Sequence, residues 1–288
     1  MVLRLDGVVV RDSMVARIAA AVAANEGPRV CLATVLVGDD GPSQIYVRNK
    51  HKLAETAGFD SRNVVLPASA TQAQLEDCIS DLAEDPGVHG ILLQSPIPSE
   101  LDFESAVALV PVEKDVDGLT VASLGRLVRG LPGHASCTPL GVLRILQHYN
   151  IATSGKRAVV IGRSTLVGLP MAILLQRKGV DATVTIAHSR TQDLAQVCKQ
   201  ADILIAATGM PRMVDESFVK DSAVVIDVGI SRVDEKIVGD VDYDAVSRVA
   251  SAVTPMPGGT GPMTVGCLIE NTWAAYLWQT RGQEPSIV

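Results

Sequence analysis

The stretch Ala158-Val159-Val160-Ile161-Gly162-Arg163-Ser164-Thr165-Leu166-Val167-Gly168-Leu169-Pro170-Met171 decides the fold. It reads as a buried strand, a tight turn and a helix. Gly162 permits the turn, Gly168 permits the helix to pack closely, and amides left free at the helix start suit a phosphate. The spacing departs from a full G-x-G-x-x-G, so a plain βα turn is the competing reading.

The next strand weighs against that plainer reading. It ends at Thr185-Ile186-Ala187-His188-Ser189-Arg190-Thr191, where an NAD site usually carries an acid for the ribose hydroxyl. Ser189, Arg190 and Arg163 instead offer hydroxyl and guanidinium donors, which match the oxygens of a 2′-phosphate. The cofactor read from these residues is therefore NADP. His188 is given no role. Two later segments, Ala206-Ala207-Thr208-Gly209-Met210-Pro211 and Asp227-Val228-Gly229-Ile230, each end a strand at glycine. In a doubly wound sheet such ends line the cofactor crevice, which adds Thr208, Gly209 and Ile230 to the candidate contacts, with Ser164 and Val167 from the first turn.

Elsewhere short apolar runs alternate with amphipathic stretches, the pattern of βαβ units in a parallel sheet. Strands are expected at Cys31–Val37, Gly90–Leu93, Ala158–Ile161, Ala182–Ala187, Ile203–Ala207 and Val224–Val228, with helices over Met14–Ala24, around Leu75 to Leu82, over Pro139–Tyr149 with Thr138 as N-cap, and over Val265–Leu277. Two sheets follow, broken near Gly130-Leu131-Pro132-Gly133-His134. A second breaker run, Thr254 to Pro262, precedes a last helix able to return to the first domain. The expected division is residues 1–120 plus 265–288 in one domain and 121–264 in the other.

Composition agrees with this class. Of 288 residues 47% are hydrophobic but only 3% aromatic, so the cores must be built from Val, Ile, Leu and Ala. A net charge of -7 without a basic block argues against a nucleic-acid partner. Five scattered cysteines form no C-x-x-C, no spacing marks a metal site, and no apolar run approaches the ~20 residues of a membrane span. The expectation is a soluble, cytoplasmic protein acting on a small molecule.

Tyr46 and Lys50, four residues apart in Ser43-Gln44-Ile45-Tyr46-Val47-Arg48-Asn49-Lys50, would share one helix face. Alone, such a pair is more often a half-buried ring beside a solvated ammonium. It does not stand alone. Together with Gly90-Ile91-Leu92-Leu93-Gln94-Ser95-Pro96-Ile97-Pro98, Lys114-Asp115-Val116-Asp117-Gly118, Cys137-Thr138-Pro139-Leu140-Gly141, Gly162-Arg163-Ser164 and Pro257-Gly258-Gly259-Thr260-Gly261-Pro262-Met263-Thr264, it resembles the bifunctional methylenetetrahydrofolate dehydrogenase and methenyltetrahydrofolate cyclohydrolase family over nearly the full length.

The resemblance implies two α/β domains with a folate cleft between them, the second a Rossmann-like, NADP-binding, doubly wound parallel sheet. It implies oxidation of 5,10-methylenetetrahydrofolate followed by hydrolysis to 10-formyltetrahydrofolate, without a metal, in a homodimer. Lys50 is then the central catalytic residue, Gln94 tunes it, Tyr46 packs on the folate rings and Asp117 holds the pterin, with Gly259, Pro262 and Thr264 as further substrate contacts. Lys50 either takes a proton from the attacking water or stabilises the ring-opening intermediate.

Four residues depart from the family pattern: Ser95 for Leu, Ser136 for Pro, Thr260 for Val and Ser123 for Asn. Ser95 beside Gln94 motivates a second reading, a dehydrogenase with weakened cyclohydrolase activity. A third is a non-catalytic NADP-binding paralogue, which should have lost Lys50 or Asp117 first; both are present.

Overall fold

The computed structural model describes residues 2–234 and 236–287, with Pro42 by its backbone alone, so the outermost expected domain ends, Met1 and Val288, lie outside the described residues. Two compact units divide the chain: Ser13–Cys137 with Val265–Ile287, and residues 2–12 with Thr138–Thr264. In chain order the first half carries β1 (Leu3–Arg4), α1 (Gly7–Ala23), β2 (Cys31–Val37), α2 (Gly41–Thr56), β3 (Asp60–Leu66), α3 (Gln72–Glu84), β4 (Gly90–Leu93), α4 (Phe103–Val107), α5 (Val121–Val128) and α6 (Cys137–His148). There follow β5 (Arg157–Ile161), α7 (Gly168–Gln176), β6 (Thr183–Ala187), α8 (Leu194–Cys198), β7 (Ile203–Ala206), β8 (Val224–Asp227), β9 (Ser231–Val233), β10 (Lys236–Val238), α9 (Tyr243–Val246), β11 (Ala252–Val253) and α10 (Thr260–Arg281).

The unit that holds Lys50 is built on a parallel sheet ordered β3-β2-β4. Every residue of the central strand β2 is buried, which is why Cys31–Val37 is an unbroken apolar run. On the helix side, Leu75, Ile79 and Leu82 of α3 join Val35, Val37, Ile91 and Leu93 in one cluster. Thr71 and Gln74 begin that helix with a reciprocal capping box. Strand β3 escaped the sequence reading because its first four residues, Asp60-Ser61-Arg62-Asn63, are polar, yet it pairs with β2 along its whole length at the sheet edge.

The other unit is a six-stranded sheet ordered β1-β11-β8-β7-β5-β6 in which all neighbours are parallel. Its four inner and outer apolar strands fall within a residue of expectation. The two-residue strands β1 and β11, and the antiparallel β9 and β10 pair, are too short to show any period.

Two of the unit boundaries differ from those expected. Residues 2–12 belong to the six-stranded sheet, because Leu3 and Arg4 pair with Ala252 and Val253. Residues 121–137 remain with the Lys50 unit, so the Gly130–His134 breaker run lies inside it. The physical reason is a set of ties to the C-terminal segment. Arg126 donates to Glu284 at 2.6 Å and lies 5.2 Å over the Trp278 ring, and the Gly133 N–H donates to Pro285 at 3.0 Å. Helix α6 begins at Cys137 rather than at Pro139, which places Thr138 inside the first turn and not at the cap.

Candidate active site

Helix α2 carries Tyr46 and Lys50 one turn apart, and its start is fixed by Asp40, whose carboxylate accepts the Ser43 N–H at 2.9 Å. Further along, His51 Nε2 lies 2.8 Å from Thr34 Oγ1 of β2, and its other ring nitrogen meets Ser61 of β3, so the helix is pinned to two strands. Lys50 Nζ donates to Gln94 Oε1 at 2.9 Å. Gln94 ends the buried run of β4, and its Nε2 donates to the Ser95 carbonyl at 2.5 Å, which fixes the amide with oxygen toward the lysine. Burial pushes the Lys50 ammonium below the usual lysine range, with Asp117 and then Cys137 acting in the opposite direction. Tyr46 is 47% exposed, an aromatic face open beside this amine.

The Lys114–Gly118 segment divides its work. Lys114 is a buried structural cation, donating at 2.8 Å to the carbonyls of both Ala83 and Asp85 at the end of α3. Asp115 is also structural, accepting from Leu119 and Thr120 N–H at 3.1 and 2.9 Å. Asp117 differs: it is half-buried, its carboxyl is pushed up by burial, and Lys50 opposes that shift. Gly118 has φ +67, and a Cβ there would lie 2.5 Å from the Ala135 and Ser136 backbone, so only glycine closes the turn this tightly. Lys50, Gln94 and Asp117 are thus brought together within one unit.

In the other unit, Gly162 has φ +133 and a Cβ would fall 2.3 Å from the Ala207 carbonyl oxygen, while a Cβ on Gly168 would fall 2.2 Å from the Gly162 carbonyl oxygen. The chain passes there with no room for a side chain, as a phosphate-binding turn requires. One expectation is corrected. The Val167 and Gly168 amides are not free, because both donate to Ser164 Oγ at 3.2 and 3.4 Å. Ser164 therefore shapes the turn, and Arg163 beside it is exposed. Ser189 and Arg190 are exposed beyond β6, in a turn built by His188, whose Nδ1 accepts the Arg190 N–H at 3.2 Å. Sequence left that histidine without a role. Thr208 and Gly209 follow β7, with their amides donating to Asp240 Oδ2 at 2.5 and 3.0 Å, and Ile230 beyond β8 is 50% exposed. These groups sit at the carboxyl ends of parallel strands, where nucleotides bind. Gly259 is buried against Pro255 at the start of α10, followed by half-buried Pro262 and by Thr264, whose hydroxyl lies 2.9 Å from that of Thr138.

Comparison with known proteins finds a match for both parts of the chain. Residues 5–117 match the tetrahydrofolate dehydrogenase/cyclohydrolase catalytic domain, and residues 136–280 match the NAD(P)-binding domain of the same family. The chain belongs to the tetrahydrofolate dehydrogenase/cyclohydrolase family. A bifunctional protein FolD from Desulfovibrio desulfuricans is 48% identical over 94% of this chain and 95% of its own. The crystal structure of the bifunctional FolD from Campylobacter jejuni superposes with a TM-score of 0.93 at 40% identity, covering 96% of this chain and 98% of the other. That of Trypanosoma brucei methylenetetrahydrofolate dehydrogenase-cyclohydrolase, complexed with NADP cofactor and inhibitor, gives 0.91 at 36% identity, covering 97% and 99%.

Within this family the chain's departures acquire local reasons. Thr260 donates its hydroxyl to the Asp227 carbonyl at 2.9 Å, a bond that Val cannot make. Ser95 meets Gln94 through its backbone carbonyl, so the change of side chain does not enter that contact. The hydroxyl of Ser123 is buried with no partner, and nothing in the structure explains it. Sequence reasoning missed the supporting residues His51, Asp240 and Asn271. A polar residue isolated in a helix or loop carries no signal until the strand or turn it serves is known.

Proposed function

We propose that the chain is a bifunctional enzyme that oxidises 5,10-methylenetetrahydrofolate to 5,10-methenyltetrahydrofolate with NADP+ and hydrolyses the product to 10-formyltetrahydrofolate. The observation that carries this reading is the Lys50–Gln94–Asp117 constellation in a chain whose two halves match the two domains of one folate family. Asp117 accepts hydrogen bonds from the amino-pyrimidine edge of the pterin, as a carboxylate accepts from an exocyclic amine. Tyr46 offers its exposed ring to the folate ring system, and Gly259, Pro262 and Thr264 complete the substrate contacts. Bound NADP+ supplies the hydride acceptor. Arg163, Ser189 and Arg190 hold its 2′-phosphate, with Gly162, Ser164, Val167, Thr208, Gly209 and Ile230 forming the rest of its bed.

In the hydrolytic step Lys50, moved toward its neutral form by burial, takes a proton from the water that attacks the methenyl carbon. Gln94 orients the amine without adding a charge that would hold it as ammonium. Lys50→Met should slow hydrolysis of methenyltetrahydrofolate by roughly two to four orders of magnitude while NADP+ binding is retained, because the lysine and the Gly162 turn lie in different units. Undiminished hydrolysis by that variant would remove Lys50 from the mechanism.

A homodimer is the proposed assembly, supported by the prevalence of closed two-fold dimers. Light scattering that returned the 30.3 kDa mass of one chain would overturn it. The cytoplasm is the proposed compartment, supported by five cysteines that form no disulfide among the described residues.

A further inference from the structure

Asp227 and Asp240 put two carboxyls into one dry place in the six-stranded unit, being 1% and 0% exposed. Asp227 ends β8. Its Oδ1 accepts the N–H groups of Gly229 at 3.0 Å and Asp240 at 2.9 Å, and its Oδ2 accepts that of Val241 at 3.1 Å. Asp240 Oδ2 takes the Thr208 and Gly209 amides, but its Oδ1 is buried with no partner. Packing around the pair is close: a Cβ at Gly229 would fall 2.1 Å from Asp240 Oδ1, and one at Gly239 would fall 1.8 Å from Asp227 Oδ2. The Gly229 backbone thus donates to one carboxyl and is pressed by the other.

Two ionised carboxyls cannot share so small a dry space without strong repulsion, and an unpartnered buried acceptor is itself costly. Burial raises the Asp227 carboxyl to about 6, with the charge of Asp240 adding to the rise and three backbone amides opposing it. Its remaining partners are neutral. The Asp227 N–H donates to Thr254 Oγ1, and the Thr260 hydroxyl donates to the Asp227 carbonyl. Asp240 is the charged group that acts on it.

We propose that Asp227 is the carboxyl of the pair that holds a proton, and that Asp240 beside it is the positioning residue that locks the Thr208–Gly209 turn to the Gly229–Ile230 turn in the form that receives NADP. A proton on Asp227 removes the repulsion across Gly229. Loss of that proton makes the pair repel and loosens both turns. The consequence for binding rests on the NADP reading above; the proton on Asp227 does not.

The test uses the full chain. Asp240→Asn keeps one acceptor for the Thr208 and Gly209 amides and removes the charge that an ionised Asp227 would meet. Between about pH 5 and 8, calorimetric titration should show wild-type affinity for NADP+ falling about tenfold more than that of Asp240→Asn, the effect of roughly one unit of carboxyl pKa. Ionisation of the cofactor phosphate affects both proteins equally and cancels in the ratio. Parallel pH curves for two folded proteins would overturn the proposal. The infrared spectrum of the cofactor-free wild type gives a second decision, needed if the variant fails to fold: a protonated carboxyl C=O band should titrate near pH 6. Its absence below that pH overturns the protonated Asp227. A wild type that has the band but binds no NADP+ at any pH would instead overturn the cofactor reading.

Discussion

Replacing Gln94 by Glu tests how the lysine is kept reactive. The side chain keeps its length, so a carboxylate oxygen would stand where Oε1 now stands, 2.9 Å from Lys50 Nζ. At that distance an effective dielectric of about 20 gives roughly 6 kcal/mol of attraction favouring the ammonium, and water reaching the half-buried amine reduces this to about half. The shift is upward, against the lowering that burial produces. At neutral pH the neutral-amine population therefore falls roughly 100-fold to 10,000-fold, and hydrolysis falls with it. A second effect acts the same way, since the Glu oxygen facing the Ser95 carbonyl at 2.5 Å can no longer donate. The assay follows decay of methenyl absorbance against pH. Wild-type rates should climb as pH approaches the lowered lysine value from below, and the variant's climb should be displaced to higher pH. A variant with the wild-type rate, or with a reduced rate on an unshifted profile, would refute the argument that Gln94 acts by withholding charge.

Other substitutions probe separate parts. Arg163→Ala should raise the Michaelis constant for NADP+ by about tenfold to hundredfold and leave that for NAD+ nearly unchanged, since a charge-assisted hydrogen bond contributes roughly 1.5–3 kcal/mol; steady-state kinetics with both cofactors checks this. Gly162→Ala, which forces a Cβ toward the Ala207 carbonyl oxygen at φ +133, should cost roughly 2 kcal/mol or more in denaturant melts and abolish tight NADP+ binding. Ser123→Ala should raise stability by about 1 kcal/mol in the same melts, because it removes a buried hydroxyl without a partner while the Ser123 N–H stays capped by Thr120 Oγ1 at 3.0 Å.

Much of the fold was legible because burial on both faces leaves an unmistakable record. Gly90–Leu93 appears at its expected bounds, and Cys31–Val37 likewise. What failed to show was structure held by partners distant in sequence. Leu3 and Arg4 form a strand only because Ala252 and Val253 offer an edge, and the polar β3 is a strand only because β2 pairs with it. The site follows the same division. Lys50, Gln94 and Gly162 could be named from motifs, since each is constrained by its own neighbours. Ser164 was misjudged in detail because the competition between a hydroxyl and a phosphate for the same amides depends on side-chain direction, which spacing does not encode.

The supports around Asp117 explain why the Lys50 unit needs the C-terminal helix. Asp117 stands between Val116 and Gly118, and both neighbours are tied to other segments. Gly118 packs on the Ala135–Ser136 backbone, and the Val116 carbonyl accepts from Asn271 Nδ2 at 2.8 Å and from Cys137 Sγ at 3.3 Å. The same Asn271 amide donates to the Ala135 carbonyl at 3.0 Å, so one side chain of α10 clamps both strands of backbone that bracket the acid. Asn271 is 155 residues from Val116 in sequence and is 5% exposed. Without it two buried carbonyls would lack this donor, a loss of roughly 1–3 kcal/mol each, and the turn would be free to move Asp117 away from Lys50. A carboxyl whose own environment disfavours its charge cannot organise the turn that carries it. Its position is imposed by groups that take no part in the chemistry. Residues 265–287 therefore complete the Lys50 unit across the intervening six-stranded one, and the return of the chain at α10 is a requirement of the site as much as of the core.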